Sequence, residues 1–133
     1  MAMTQTEINN IYNKLQGLDS SEILDILRKE LFSEYHVLGM MAPSEMEIEK
    51  RILKSEHKIE ENISKCKKVI ANPSISTKIK TLLKNNPKYV NCTLEIIQLV
   101  APAVAQIYGG LSALTIVGTL TIMCKQGIQN YLS

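Results

Sequence analysis

Between Glu95 and Lys125 the chain runs for 29 residues without a charge, "IIQLVAPAVAQIYGGLSALTIVGTLTIMC". An apolar stretch of that length has three physical destinations: a bilayer, the middle of a protein core, or the face of a partner. A single transmembrane helix needs roughly 20 predominantly apolar residues with few breakers. Here Pro102, Gly109, Gly110 and Gly118 interrupt the run, together with Gln98, Gln106, Ser112 and three threonines. Ile107 to Cys124 is the best window, and it is only marginally long enough. The stretch reads better as two helices hinged at Gly109-Gly110. Such a pair is buried when amphipathic neighbours clothe it. Along the first of the two, Ala101, Ala105 and Gly109 stand four residues apart and place small side chains on one face, which lets backbones approach closely. Gly118 offers a similar site on the second.

The rest of the chain supplies the clothing. Three capping boxes, Thr4-x-x-Glu7, Asp19-x-x-Glu22 and Ser44-x-x-Glu47, mark helix starts. In each, the side chain at the N-cap and the acid three residues on satisfy backbone N–H groups that lack a partner within the helix. The first helix should run from Thr4 to about Gln16, stopped at Gly17. The second carries the stripe Ile23, Leu24, Ile26, Leu27, Leu31, Phe32, Tyr35 and Leu38, with Gly39 as its C-terminal stop. A third runs from about Ser44 to Ala71 with Ile48, Ile52, Ile59, Ile63, Cys66 and Ile70 facing inward. Pro73 ends it. A short basic helix follows through Ile75, Ile79, Leu82 and Leu83 until "KNNPK" breaks it. The fifth helix is expected over 91–108, with a kink or fresh start at Pro102, and the sixth from about Ser112 to Tyr131. No segment alternates with a period of two, so the fold class is all-α. The expectation is a single-domain bundle of about six helices over 1–133, with amphipathic helices in 1–90 and an apolar C-terminal helical hairpin in 91–133.

Charge is sorted along the chain. Residues 1–64 hold twelve acids against seven Lys and Arg, a net of −5. Residues 65–90 hold Lys65, Lys67, Lys68, Lys78, Lys80, Lys84 and Lys88 with no acid, a net of +7. The plain reading of such a belt is a solvated face. Its position just before the uncharged tail adds a second reading, contact with anionic headgroups, each lysine being worth about 1 kcal/mol near such a surface. In that case the hairpin is sheathed at first and released to oligomerise or enter lipid.

Motifs that carry chemistry are scarce. Cys66, Cys92 and Cys124 are odd in number and form no CxxC or Cys/His cluster. This argues against a disulfide framework and against zinc or any other metal, and favours a reducing, cytoplasmic setting. The N-terminal residues do not have the pattern of a cleaved signal. No nucleotide-binding, zincin or nucleophile-elbow motif occurs, so neither a cofactor nor a small-molecule substrate is implied. Aromatics do not interleave with the lysines, which leaves no case for specific nucleic-acid binding. Met40, Met41 and Met46 offer an adaptable contact, and His36 and Glu95 suit helix ends.

Arg51 and His57, within "RILKSEH", resemble the R-x4–6-H signature of HEPN-type ribonucleases, small all-helical proteins in which the Arg and His act together on the RNA backbone. The resemblance covers these seven residues and implies a metal-independent ribonuclease. Ile52 departs from the polar residue usual after the Arg. Six residues along a helix also turn the two side chains about 120° apart. The preferred reading is a non-enzymatic interaction or assembly module acting through its apolar C-terminal helices, with a protein partner or a second copy of itself. A membrane-active effector, lipid-binding or pore-forming, is the alternative.

Overall fold

The computed structural model describes residues 3–36, 45–85 and 94–132. Among them six α-helices form, in the order α1 (Gln5–Leu15), α2 (Ser20–His36), α3 (Glu45–Ile70), α4 (Pro73–Asn85), α5 (Leu94–Ile107) and α6 (Ala113–Gly127), followed by a 3₁₀ turn over Ile128–Tyr131. The all-α expectation holds.

Local chemistry explains the boundaries. At α1 the Glu7 amide donates to the Thr4 hydroxyl at 3.1 Å. At α2 the Glu22 amide donates to Asp19 Oδ1 at 2.8 Å, and the Asp19 amide reaches back to Glu22 Oε1 at 3.5 Å. The second pair is a reciprocal capping box, whereas at α1 the Thr4 hydroxyl donates to Glu7 Oε1 at 3.2 Å. The Ser44 box lies outside the described residues, as does Gly39. Pro73 opens α4 as its first residue, a position where the missing N–H has no partner to lose. The Asn72 carboxamide accepts the Ser74 amide at 3.0 Å just ahead of it.

Of the kink or fresh start expected at Pro102, the fresh start does not occur, since α5 runs through it. The sixth helix does not reach Tyr131: Gly127 adopts φ +109°, a left-handed conformation suited to glycine, and the chain continues as the 3₁₀ turn.

The core is built around α6. Every residue from Thr115 to Cys124, ten in succession, is buried. A helix buried on all sides must lie at the centre of its neighbours, and α6 packs against α1, α2, α3 and α5. Those neighbours contribute Ile8 and Leu15, Ile23 and Leu27, Ile59, Cys66, Val69 and Ile70, and Ile96, Ile97, Val100 and Val104. α4 lies outside this group, on α3 and α5. The buried threonines satisfy themselves. Thr119 Oγ1 donates to the Thr115 carbonyl at 2.6 Å and Thr121 Oγ1 to the Val117 carbonyl at 2.7 Å.

These observations dispose of the single-span reading. Fifteen residues of α6 extend about 22 Å against a hydrocarbon core of about 30 Å. No helix among the described residues is long and apolar enough to cross a membrane.

Candidate functional site

The lysines that crowd residues 65–84 come from two elements. Lys65, Lys67 and Lys68 lie on the last turns of α3, and Lys78, Lys80 and Lys84 on α4. Lys67, Lys68, Lys78, Lys80 and Lys84 are exposed, and Lys88 lies outside the described residues. Lys67 and Lys68 in the last turn of α3, and Lys84 in that of α4, complement the negative ends of their helices, which accounts locally for cations there. Nothing in that local argument requires the absence of acids.

Lys65 behaves differently. It is half-buried, and its Nζ stands 5.5 Å from the centroid of the Tyr108 ring, a cation–π contact. Tyr108 follows the last residue of α5 and precedes Gly109-Gly110, so the first lysine of the belt rests on the turn of the apolar hairpin. Both glycines are exposed at this tip. Gly110 takes φ +91°, where a side chain would be strained, whereas Gly109 has open space around the position of a Cβ.

On the far side of the tip, α6 is capped twice. Ser112 accepts the Thr115 amide at 3.1 Å as the helix's own N-cap. A second contact comes from α2: Glu30 Oε1 accepts the Ser112 hydroxyl at 2.9 Å and its Oε2 accepts the Thr115 hydroxyl at 3.2 Å. One turn along, Gly118 forms a notch for Leu27. A Cβ there would stand 2.8 Å from Leu27 Cδ2. The pairs 27–118 and 30–115 show that α2 and α6 run antiparallel in a fixed register.

The small-residue row on α5 does not form an outward face. Ala101 is buried in the core, Ala105 is half-buried and Gly109 is open. Gln98 of α5 instead donates to Asn9 of α1 at 2.6 Å, tying the first and fifth helices. Two large hydrophobics stand out in solvent, Leu53 at 64% exposure and Ile107 at 59%. They lie on different helices.

The stripe on α3 points inward as expected at Ile59, Cys66 and Ile70, which are buried, while the side chains of Ile48 and Ile52 lie outside those described. Ile63 is half-buried, while Asn62 is 1% exposed, one turn from Ile59 on one side and Cys66 on the other. Neither its Oδ1 nor its Nδ2 has a hydrogen-bond partner. A polar residue was not a candidate for the core on periodicity, and no sequence signal marks it.

Reactive groups are few. Burial pushes the Cys66 thiol up to about 12, the nearby Lys65 offsetting only part of this, so it stays protonated and inert. Cys124 is disulfide-bonded, which overturns the expectation drawn from the odd cysteine count; Cys92, the remaining cysteine, lies outside the described residues. A disulfide forms and persists in an oxidising setting. His57 is exposed on α3. Near it, the Lys58 ammonium at 3.3 Å from Glu61 lowers the Glu61 carboxyl, with smaller help from Lys65 and His57. Arg51 and His57 both lie on α3, six residues apart, and the side chain of Arg51 lies outside those described. Among the described residues, no group of His, Cys, Asp and Glu is placed to hold a metal ion. A cleft of about 330 Å³ between α2 and α3 is lined by Leu24, Arg28, Glu56, Ile59, Glu60 and Ile63. In it Arg28 Nε and Glu56 Oε1 stand 3.8 Å apart. No protein-family model, curated protein or solved structure matches the chain.

Proposed function

We propose that the protein is a non-enzymatic association module whose lysine face docks on an anionic lipid surface, and whose α5–α6 hairpin is the apolar element that docking makes available. One observation carries the reading: ten successive buried, uncharged residues of α6 lie inside a coat of amphipathic helices, beside exposed lysines of α3 and α4, and Lys65 of the same segment rests on the hairpin's turn.

The magnitudes suit peripheral binding. The exposed Lys67, Lys68, Lys78 and Lys84 at about 1 kcal/mol each give an attraction of roughly 4 kcal/mol before any ordering cost, and salt screens it. With helices of about 21–22 Å, the hairpin is too short to span the hydrocarbon core and suits a position along the interface.

Co-sedimentation with vesicles of phosphatidylcholine containing about a third phosphatidylserine tests the reading, with pure phosphatidylcholine as the comparison. Binding to the anionic vesicles alone, lost as ionic strength rises past about 0.5 M, is the expected result. No pelleting with anionic vesicles at low salt overturns it.

A second reading, association with a protein partner or a second copy, draws support from the exposed Leu53 and Ile107. Light scattering separates it: a discrete oligomer in the absence of lipid that reverts to monomer on Ile107→Lys favours assembly.

A further inference from the structure

The tip of the hairpin is held from both sides, by two helices that are not part of it. On the α6 side stands Glu30 of α2, whose two carboxylate oxygens take the hydroxyl protons of Ser112 and Thr115. α6 has no charged residue before Lys125, so its positive end is neutralised only by a charge borrowed from another helix. On the α5 side stands Lys65 of α3 on the ring of Tyr108. The two contacts flank Gly109 and Gly110, which touch nothing that a side chain would meet. Farther from the tip, Gln98 ties α5 to Asn9 of α1; at the tip itself the polar ties described are those of Glu30 and Lys65.

We infer that Glu30 and Lys65 form a clasp that keeps the α5–α6 hairpin closed, an autoinhibitory contact through which occupation of the lysine face loosens the tip. Lys65 belongs to that face. When a lipid phosphate takes its ammonium, the contact with Tyr108 is given up, and one side of the clasp opens. Glu30 then holds the tip alone, through two charge-assisted hydrogen bonds to the start of α6. The inference rests on the proposed docking at an anionic surface for its trigger, but the clasp itself is testable without lipid.

The experiment is hydrogen–deuterium exchange of the full chain, followed by binding to the same phosphatidylserine vesicles. Glu30→Ala removes both hydrogen bonds and the charge at the helix end, and should speed exchange of the amides in residues 113–118 by roughly tenfold. Thr115→Val is nearly isosteric and removes one of the two bonds, so it should give a smaller acceleration at the same amides with the fold intact. Tyr108→Leu should loosen the tip from the other side. Glu49→Gln, at an exposed position on α3, matches the change in net charge and should leave exchange at 113–118 unchanged. Vesicle binding should rise for the clasp variants beyond whatever Glu49→Gln produces. Unchanged exchange at 113–118 in both Glu30→Ala and Thr115→Val overturns the clasp. Faster exchange with no vesicle binding by any protein upholds the clasp and overturns the docking reading instead.

Discussion

Replacing Asn62 by leucine should make the bundle more stable, an unusual outcome for a change at a core position. Asn62 is 1% exposed and lies between Ile59 and Cys66 on the inward face of α3, with neither polar atom of its carboxamide hydrogen-bonded. An unsatisfied buried donor or acceptor costs about 1–3 kcal/mol, so the two together cost about 2–6 kcal/mol. Leucine has the same branching at Cγ and presents methyl groups where the oxygen and nitrogen stand. Those methyls are bulkier, and fitting them costs about 1–3 kcal/mol in a packed core. The net expectation is a gain of about 1–3 kcal/mol, or a rise in Tm of roughly 4–12 °C for a domain of this size. Thermal melts followed by circular dichroism read this directly. Ile59→Ala serves as the internal comparison and should lower stability by about 2–5 kcal/mol, because Ile59 lies on the same inward face. A fall in Tm for Asn62→Leu refutes the reasoning, since it means that the carboxamide is satisfied in solution and contributes to the fold. The same variant should bind anionic vesicles less well, because it raises the cost of opening the core around α6.

Gly118→Ala should cost about 1–3 kcal/mol, because its Cβ would stand 2.8 Å from buried Leu27 Cδ2, which must shift to admit it; melts show the loss, and the same substitution should cost less when made in a Leu27→Ala background than when made alone. Gly110→Ala should cost about 1–2 kcal/mol for the strain at φ +91°, and Gly109→Ala, in open space, should be close to neutral, so the two melts separate conformational strain from packing. Reducing the Cys124 disulfide should lower Tm by an amount corresponding to about 2–4 kcal/mol. Cys66 should resist a maleimide at pH 8 in the native protein. Its thiol is raised above the ordinary 9 to about 12, which favours the protonated form in the fold; that contribution is fully present below pH 9 and lost as pH rises toward 12, as alkaline melts will show.

Features set by neighbours in the chain were the legible ones. Thr4–Glu7 and Asp19–Glu22 could be paired on paper because a capping box closes over three residues, and the turn at Gly109-Gly110 follows from two glycines between apolar runs. The centre of the core was legible as well, since a helix uncharged all round has nowhere else to go in a bundle. What escaped depends on contacts across the fold. Glu30 reaches Ser112 and Thr115 over separations of 82 and 85 residues, and on sequence it is one acid among many on a solvated helix. Gly118 could be offered as a packing site, but its partner Leu27 could not be named. Asn62 contradicts the very pattern that identifies a buried face, because periodicity selects Ile63 beside it. At Pro102 the helix does not restart, because the packing of an apolar α5 outweighs one missing N–H. The disulfide at Cys124 illustrates that a count of cysteines decides nothing about which of them meet.

On the proposed reading, the buried, uncharged α6 is made available when the lysines of α3 and α4 meet anionic lipid. Hydrogen–deuterium exchange at the amides of Thr115 to Cys124, measured with and without vesicles, tests it most directly. Vesicles containing phosphatidylserine should change the exchange of these amides at low ionic strength, the change should vanish in high salt, and pure phosphatidylcholine should leave them untouched. Identical exchange of the α6 amides under all of these conditions, with the protein shown to be on the vesicles, contradicts the account: the hairpin would then be core and nothing more.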